Sequence, residues 1–165
     1  MTKTIFLSVG TQFPFPRLIN CVRTFVENND DYHCMAQTLQ ELVTTQRFTN
    51  FSTLDESKML ELASMSDVIV GHLGIGTVLL AKKLNKPAVV LARKFEQGEH
   101  RSEHQEKSVE YLSPIEGVYI AENEKHCRSL LNSVDNLSAA QWNTAELLSF
   151  ANNLKDHINS LELET

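Results

Sequence analysis

The stretch Gly71-His72-Leu73-Gly74-Ile75-Gly76-Thr77 and the longer one from Arg93 to Gln105 hold most of the groups in this chain that could do chemistry. The second carries Arg93, Glu99, His100, Arg101, His104 and Gln105. Glycines let a backbone approach a ligand closely, guanidinium groups present a planar fork of donors, and the N–H groups of a helix start favour negative charge. Together these suit the gripping of a diphosphate. Gly74 and Gly76 would supply the close approach or turn through positive φ, and Thr77 would cap the following helix or donate its hydroxyl to a phosphate oxygen. Gly10-Thr11-Gln12, after the first apolar run, is a third loop of the same kind. Each stretch also has a plain structural reading: a tight turn with a capping threonine, a structural histidine, a solvated charged loop, a simple strand-to-helix turn. Against the plain reading of the first stretch stands its share of the glycine, three of only 6 in 165 residues.

For these loops to meet, the chain must bring them to one edge. Thr4 to Val9 (TIFLSV) reads as a strand, Pro14 to Val26 as a helix, and Tyr32 to Thr38 and Phe48 to Phe51 as short strands. Asp55 to Met65 has apolar residues at helical spacing, with Thr53 or Asp55 as its cap. Unbroken apolar runs at Asp67 to Val70 and Ala88 to Leu91 flank a helix ending near Leu84, the pattern of a βαβ crossover whose parallel strands are covered on both faces. Further on, His104 to Leu112 reads as helix, Gly117 to Ala121 as a last strand and Glu122 to Val134 as a helix. An amphipathic C-terminal helix is expected over 138–161, with Leu147, Ala151, Leu154, Ile158 and Leu161 in a narrow stripe. The alternation predicts one α/β domain over 1–165, a Rossmann-like three-layer sandwich with a mainly parallel sheet. In such a sheet the loops after successive strands converge at the carboxyl edge, which would gather all three stretches in one crevice.

Composition sets the limits. A 42% hydrophobic, 22% charged chain of this length can bury a core without metal or disulfide support. A net charge of −6 argues against nucleic acid as a partner, because a phosphate backbone needs a basic face. Cys21, Cys34 and Cys127 have no metal-ligand spacing and read as reduced thiols of a cytoplasmic protein. The first residues resemble neither a signal peptide nor a spanning helix. No metal site and no cofactor are expected.

Four segments taken in order resemble a known family: Ser8-Val9-Gly10-Thr11-Gln12 with Phe15-Pro16-Arg17-Leu18-Ile19, Ser66 to Thr77, Lys86 to Leu91, and Gly98 to Gln105. Over residues 3 to 121 the chain is similar to the C-terminal domain of glycosyltransferase family 28, in the short form that stands alone in two-subunit enzymes. The last segment looks closest to the catalytic subunits of bacterial exopolysaccharide and capsule glycosyltransferases, which are related to that of the eukaryotic dolichol-linked N-acetylglucosaminyltransferase. The resemblance implies the C-terminal, donor-binding half of a GT-B enzyme, held to the inner face of the membrane by its partner. This half would bind a UDP-sugar, while a membrane-associated subunit supplies a lipid-linked saccharide acceptor. Carried over by position, Gly10, Thr11 and Gln12 and the Gly74 to Thr77 helix start would face the diphosphate. His104 and Gln105 would contact the donor sugar, and His72, Glu99, His100 and Arg101 would line the pocket. One departure stands out: Val78-Leu79-Leu80-Ala81 occupies the region where longer members hold the ribose with a glutamate.

The reaction implied is inverting glycosyl transfer without metal, with the leaving diphosphate stabilised by the helix start and by Arg101 or Arg93. The general base is unassigned, since enzymes of this architecture commonly draw it from the acceptor half. A second reading is a non-catalytic nucleotide- or partner-binding module of the same fold, motivated by the apolar stripe from Leu147 to Leu161. An epimerase or nucleotide-binding oxidoreductase fits less well, because the first strand ends in one glycine and the second without a carboxylate.

Overall fold

The computed structural model describes residues 2–94, 96, 98, 99 and 115–143. Six strands form one sheet: β1 (Lys3–Ser8), β2 (Tyr32–Gln37), β3 (Phe48–Phe51), β4 (Val68–His72), β5 (Ala88–Leu91) and β6 (Val118–Ala121). Every pairing is parallel and the order is β3-β2-β1-β4-β5-β6. This is the doubly wound Rossmann arrangement expected from the alternation of apolar runs and helical periods. The direction in which strands are added across the sheet reverses at β1, whose Ile5 pairs with Cys34 on one side and Val68 on the other.

Strand side chains alternate between faces, and the core divides accordingly. Ile5, Leu7, Cys34, Val68, Val70, Val89 and Leu91 face one layer, which contains α1 (Pro16–Glu27) and the later helix α4 (Glu124–Asn132). Phe6, Met35, Ile69, Ala88 and Val90 face the other, where α2 (Glu56–Ser64) and α3 (Ile75–Leu84) pack. Local chemistry sets the helix starts. Pro16 occupies the first turn of α1, where its missing N–H costs nothing. Of the two caps foreseen for α2, Asp55 does the work, accepting from the Lys58 N–H at 2.8 Å. Asn123 serves α4 in the same way.

Two expectations need correction. The helix foreseen from Ser138 does not begin there: 138–143 run without regular structure, their course fixed by bonds from Ser138 N to the Tyr119 hydroxyl and from Ala140 N to Lys86 O. These residues serve as a strap against the β5–β6 end of the sheet. The remainder of that segment, with its Leu147 to Leu161 stripe, and the helix expected over His104 to Leu112 lie outside the described residues. The second correction concerns the glycine stretch. Gly71 and His72 belong to β4, and Gly74 caps α3 in extended conformation (φ −148°, ψ 152°), not through positive φ. Among the described residues, no helix is long and apolar enough to cross a membrane.

Candidate functional site

A pocket of about 530 Å³ opens at the carboxyl edge of the sheet. It is lined by Ser8 at the end of β1 and Val9 to Phe13 after it, Gln37 at the end of β2 and Leu39 after it, Thr53 and Leu54 after β3, and Met59 of α2. His72 from β4, Gly76, Thr77 and Leu80 of α3, and Arg93 after β5 complete it. The site therefore straddles β1, where strand order reverses and the loops on either side diverge to leave a crevice. Of the residues singled out in sequence, Gly10, Thr11, Gln12, His72, Gly76, Thr77 and Arg93 meet here. Gly74 stands immediately behind His72; His100, Arg101, His104 and Gln105 lie outside the described residues.

The His72 ring is clasped by two glycines. A Cβ on Gly10 would come 2.8 Å from its Cε1, and one on Gly74 2.6 Å from its Nε2. Gly10 also has φ +85°, a conformation open to glycine and strained for most other residues. Thr77 does not cap α3: its hydroxyl lies 3.2 Å from the His72 carbonyl oxygen and donates to it, which ties the helix start to the end of β4. No acidic residue occupies the first turn of α3, and Gly74 brings no side chain to its N–H groups, so the positive end of the helix faces the pocket mouth.

The Gly10 loop is fixed by a residue the sequence reading passed over. Gln37, buried at the end of β2, donates from Nε2 to Gly10 O at 3.1 Å and accepts from the Ser8 hydroxyl at 2.9 Å. Its position at the end of a run of apolar strand residues was the available signal, since a buried amide there must find partners.

Arg93 and Glu99 bind the loops to one another. The Arg93 guanidinium is 3% exposed and donates to the carbonyls of Val9, Phe13, Pro14 and Glu99 at 2.7–3.1 Å, with its plane over the Phe15 ring. Burial pulls its pKa down, partly offset by the Glu99 charge. Those four donor bonds serve the loops, so Arg93, which also lines the pocket, stitches the β1–α1 connection to the β5 loop. Glu99 accepts two bonds from Arg17 at 2.8 Å and a third from the Lys94 N–H. Burial works to raise its pKa, but the Arg17 bonds, the Lys94 N–H and the Arg17 and Arg93 charges outweigh that and leave it below the ordinary value. Arg17, from the Phe15-Pro16-Arg17 stretch at the start of α1, is thus the partner that holds Glu99.

A depressed folded pKa gives stability that is full above the unfolded value, about 4.3 for glutamate, and lost as pH falls through the folded one. Acid unfolding of Glu99→Gln, followed by circular dichroism, is expected to lack this component, so variant and parent should converge in stability as the pH drops below about 4. A gap between them that stays constant from pH 7 to 3 would show that the carboxylate charge is not what holds the loop.

Fold and pocket together define the class: a doubly wound parallel α/β domain with its site at the switch point of the sheet. The chain belongs to the glycosyltransferase family 28 C-terminal domain family, whose model matches residues 4–161. No curated protein is significantly similar to it in sequence. Among solved structures, it superposes on the solution structure of ALG13 with a TM-score of 0.59 at 15% identity, over 91% of this chain and 94% of that one. The glycotransferase of kitacinnamycin gives 0.57 at 16% identity over 80% of this chain and 34% of that one. The calicheamicin glycosyltransferase CalG4 gives 0.55 at 14%, over 82% and 34%. At these identities the likeness is one of fold, and the chain spans about a third of the length of the latter two enzymes.

Proposed function

We propose that this chain is the donor-binding half of a glycosyltransferase. It would hold a UDP-sugar for inverting transfer to a lipid-linked saccharide acceptor brought by a membrane-associated partner subunit, as in bacterial exopolysaccharide or capsule assembly. The observation that carries the reading is the pocket at the switch point, where the start of α3 and the Gly10 loop converge on His72. Backbone N–H groups at such a helix start are suited to phosphate oxygens and to the charge that builds on a departing diphosphate. Toward β2 and β3 the lining includes the apolar Leu39, Leu54 and Met59 beside Gln37 and Thr53, a mixed surface suited to a base. In this reading His104 and Gln105 contact the sugar, and Arg101, with Arg93 occupied elsewhere, is the guanidinium left for the phosphates. Family membership supports the glycosyltransferase part of this reading, and the partner subunit follows from the resemblance of the sequence to two-subunit enzymes.

Calorimetric titration of the folded chain with UDP, three UDP-sugars carrying glucuronic acid, galactose or N-acetylglucosamine, and ADP and GDP as controls tests this. UDP is expected to bind selectively, and the sugar that adds most affinity points to the substrate. Gly74→Ala should weaken UDP binding at least tenfold by driving the His72 ring into the pocket mouth, at a stability cost of only about 1 kcal/mol for a changed helix cap. Absence of UDP binding at millimolar concentration would sink the donor-site reading.

A further inference from the structure

Leu39 has a backbone conformation that its residue type disfavours. Its φ is +58°, in the left-handed region, where the Cβ of an ordinary L-residue crowds the following carbonyl. Apart from Asn85, which ends α3, no other described non-glycine residue is found there. Asparagine at a helix end is a usual occupant of this region, and leucine is not.

The chain around it leaves no alternative. Leu39 N donates to Ser52 O at 2.9 Å, and Thr38 N to Phe51 O at 3.0 Å. The wholly buried Thr38 places its hydroxyl 2.7 Å from Asn50 Oδ1, and Asn50 Nδ2 donates to Gln40 O at 2.9 Å. Backbone on both sides of residue 39 is thus tied to the end of β3 and the loop after it. A glycine would satisfy this turn with less strain. What leucine adds is a side chain, half-buried against the core on the α1 side of the sheet, at a residue that lines the pocket.

Sheet order says which part of the pocket it lines. The loops after β2 and β3 lie on one side of β1, and the start of α3, with Gly76, Thr77 and His72, lies on the other. Leu39, packed on the α1 layer, and Leu54 and Met59, packed on the α2 layer, therefore line the pocket from the two faces of the sheet on the same side of β1, across from the helix start that suits a diphosphate. Strained residues that persist because their surroundings over-determine them are concentrated at ligand sites, where a fixed side chain spares the ligand the entropy of ordering it.

We infer that Leu39 is a specificity-determining residue, an apolar wall locked in place by the turn around it, on which the planar base of a nucleoside diphosphate packs. The inference rests on the donor-site reading given above and says which residue selects the nucleoside end of the ligand.

Leu39→Gly and Leu39→Ala, made in the full chain, test it by titration with UDP and with inorganic pyrophosphate and by urea unfolding. Both variants should weaken UDP about tenfold, the worth of one apolar side chain partly covered by a ligand, and leave pyrophosphate binding unchanged. Leu39→Gly should also withstand more urea than Leu39→Ala, the reverse of the usual order of these residues, because the turn keeps φ positive. Leu39→Met, which keeps a long apolar side chain, should bind UDP within about threefold of the parent. UDP affinity unchanged in both truncated variants overturns the inference while leaving the donor site standing. Equal losses for pyrophosphate and UDP overturn it too, by showing that the whole site has collapsed. A parent chain that binds no nucleoside diphosphate removes the donor-site reading itself, and this inference with it.

Discussion

Gly117→Ala lowers the stability of the chain by about 4 kcal/mol or more, enough to move its thermal midpoint down by roughly 10 °C. Gly117 begins the approach to β6 at φ +77°, and a Cβ there would stand 2.2 Å from Ala140 N and 2.4 Å from both Ala139 C and Ala140 Cα. All three are backbone atoms, so no rotamer change can relieve the contact. Retreat of the 138–143 strap would break the bond from Ala140 N to Lys86 O, and retreat of the Gly117 turn would break the one from Ala88 N to Gly117 O. The substitution thus separates the strap from the end of the sheet. Because Gly117 lies at the amino end of β6 and the pocket at the carboxyl edge around β1, with β4 and β5 between, any Gly117→Ala molecules that remain folded should bind UDP as the parent does. Thermal unfolding followed by circular dichroism is the measurement, and a midpoint within 2 °C of the parent, a loss of no more than about 1 kcal/mol, would refute the account.

Arg93→Met should cost about 3–5 kcal/mol and abolish UDP binding together. Methionine fills much of the same space over Phe15 but offers no donor to the Val9, Phe13, Pro14 and Glu99 carbonyls, and it removes a positive charge beside Glu99. The Gly10-Thr11-Gln12 loop then loses the group that pins it to the β5 loop. Arg93→Lys is the informative companion. One ammonium cannot span four carbonyls on two loops, so lysine should rescue little of the stability. Had Arg93 been a ligand for phosphate, lysine would keep the fold intact and weaken binding only. Urea midpoints and UDP titration of both variants separate the two roles: lysine with parental stability and reduced affinity would contradict the stitching role.

Strands and helices were legible because they depend on nearest neighbours: the apolar runs at 67–70 and 88–91 could only be buried strands, and Asp55 announces its helix. The meeting of the Gly10 loop with His72 was legible too, since both follow strands of one parallel sheet. Sequence spacing does not state the order of strands, however, and that order decides which loops flank β1. Gln37, Leu39, Leu54 and Met59 reach the pocket because β2 and β3 lie beside β1 on the side away from β4. Apart from the amide of Gln37 at the end of an apolar run, nothing in their local patterns marks them. Arg93 and Glu99 were read by residue type, and type alone does not say whether a guanidinium will face a ligand or a set of carbonyls. The Ser138 strap was mistaken for helix because the periodicity that begins further along was extended back over residues that answer instead to Tyr119 and Lys86.

The sheet order also governs how the chain is made. Of the six strands β1 is synthesised first, and β2 follows to pair along one of its edges, with β3 adding outside β2. Its other edge waits for β4, whose first residue comes some 60 positions after β1 ends. Until then Ile5, Phe6 and Leu7, later the centre of the molecule, sit in a strand with one side of its backbone unpaired, a template for another chain's strand. At a synthesis rate of about 5–20 residues per second that exposure lasts several seconds, longer than a helix or hairpin needs to form. The most protected strand of the finished protein is therefore the most vulnerable one during its birth, and conditions that slow translation between residues 9 and 68 should raise the yield of aggregated chain more than slowing it after 72.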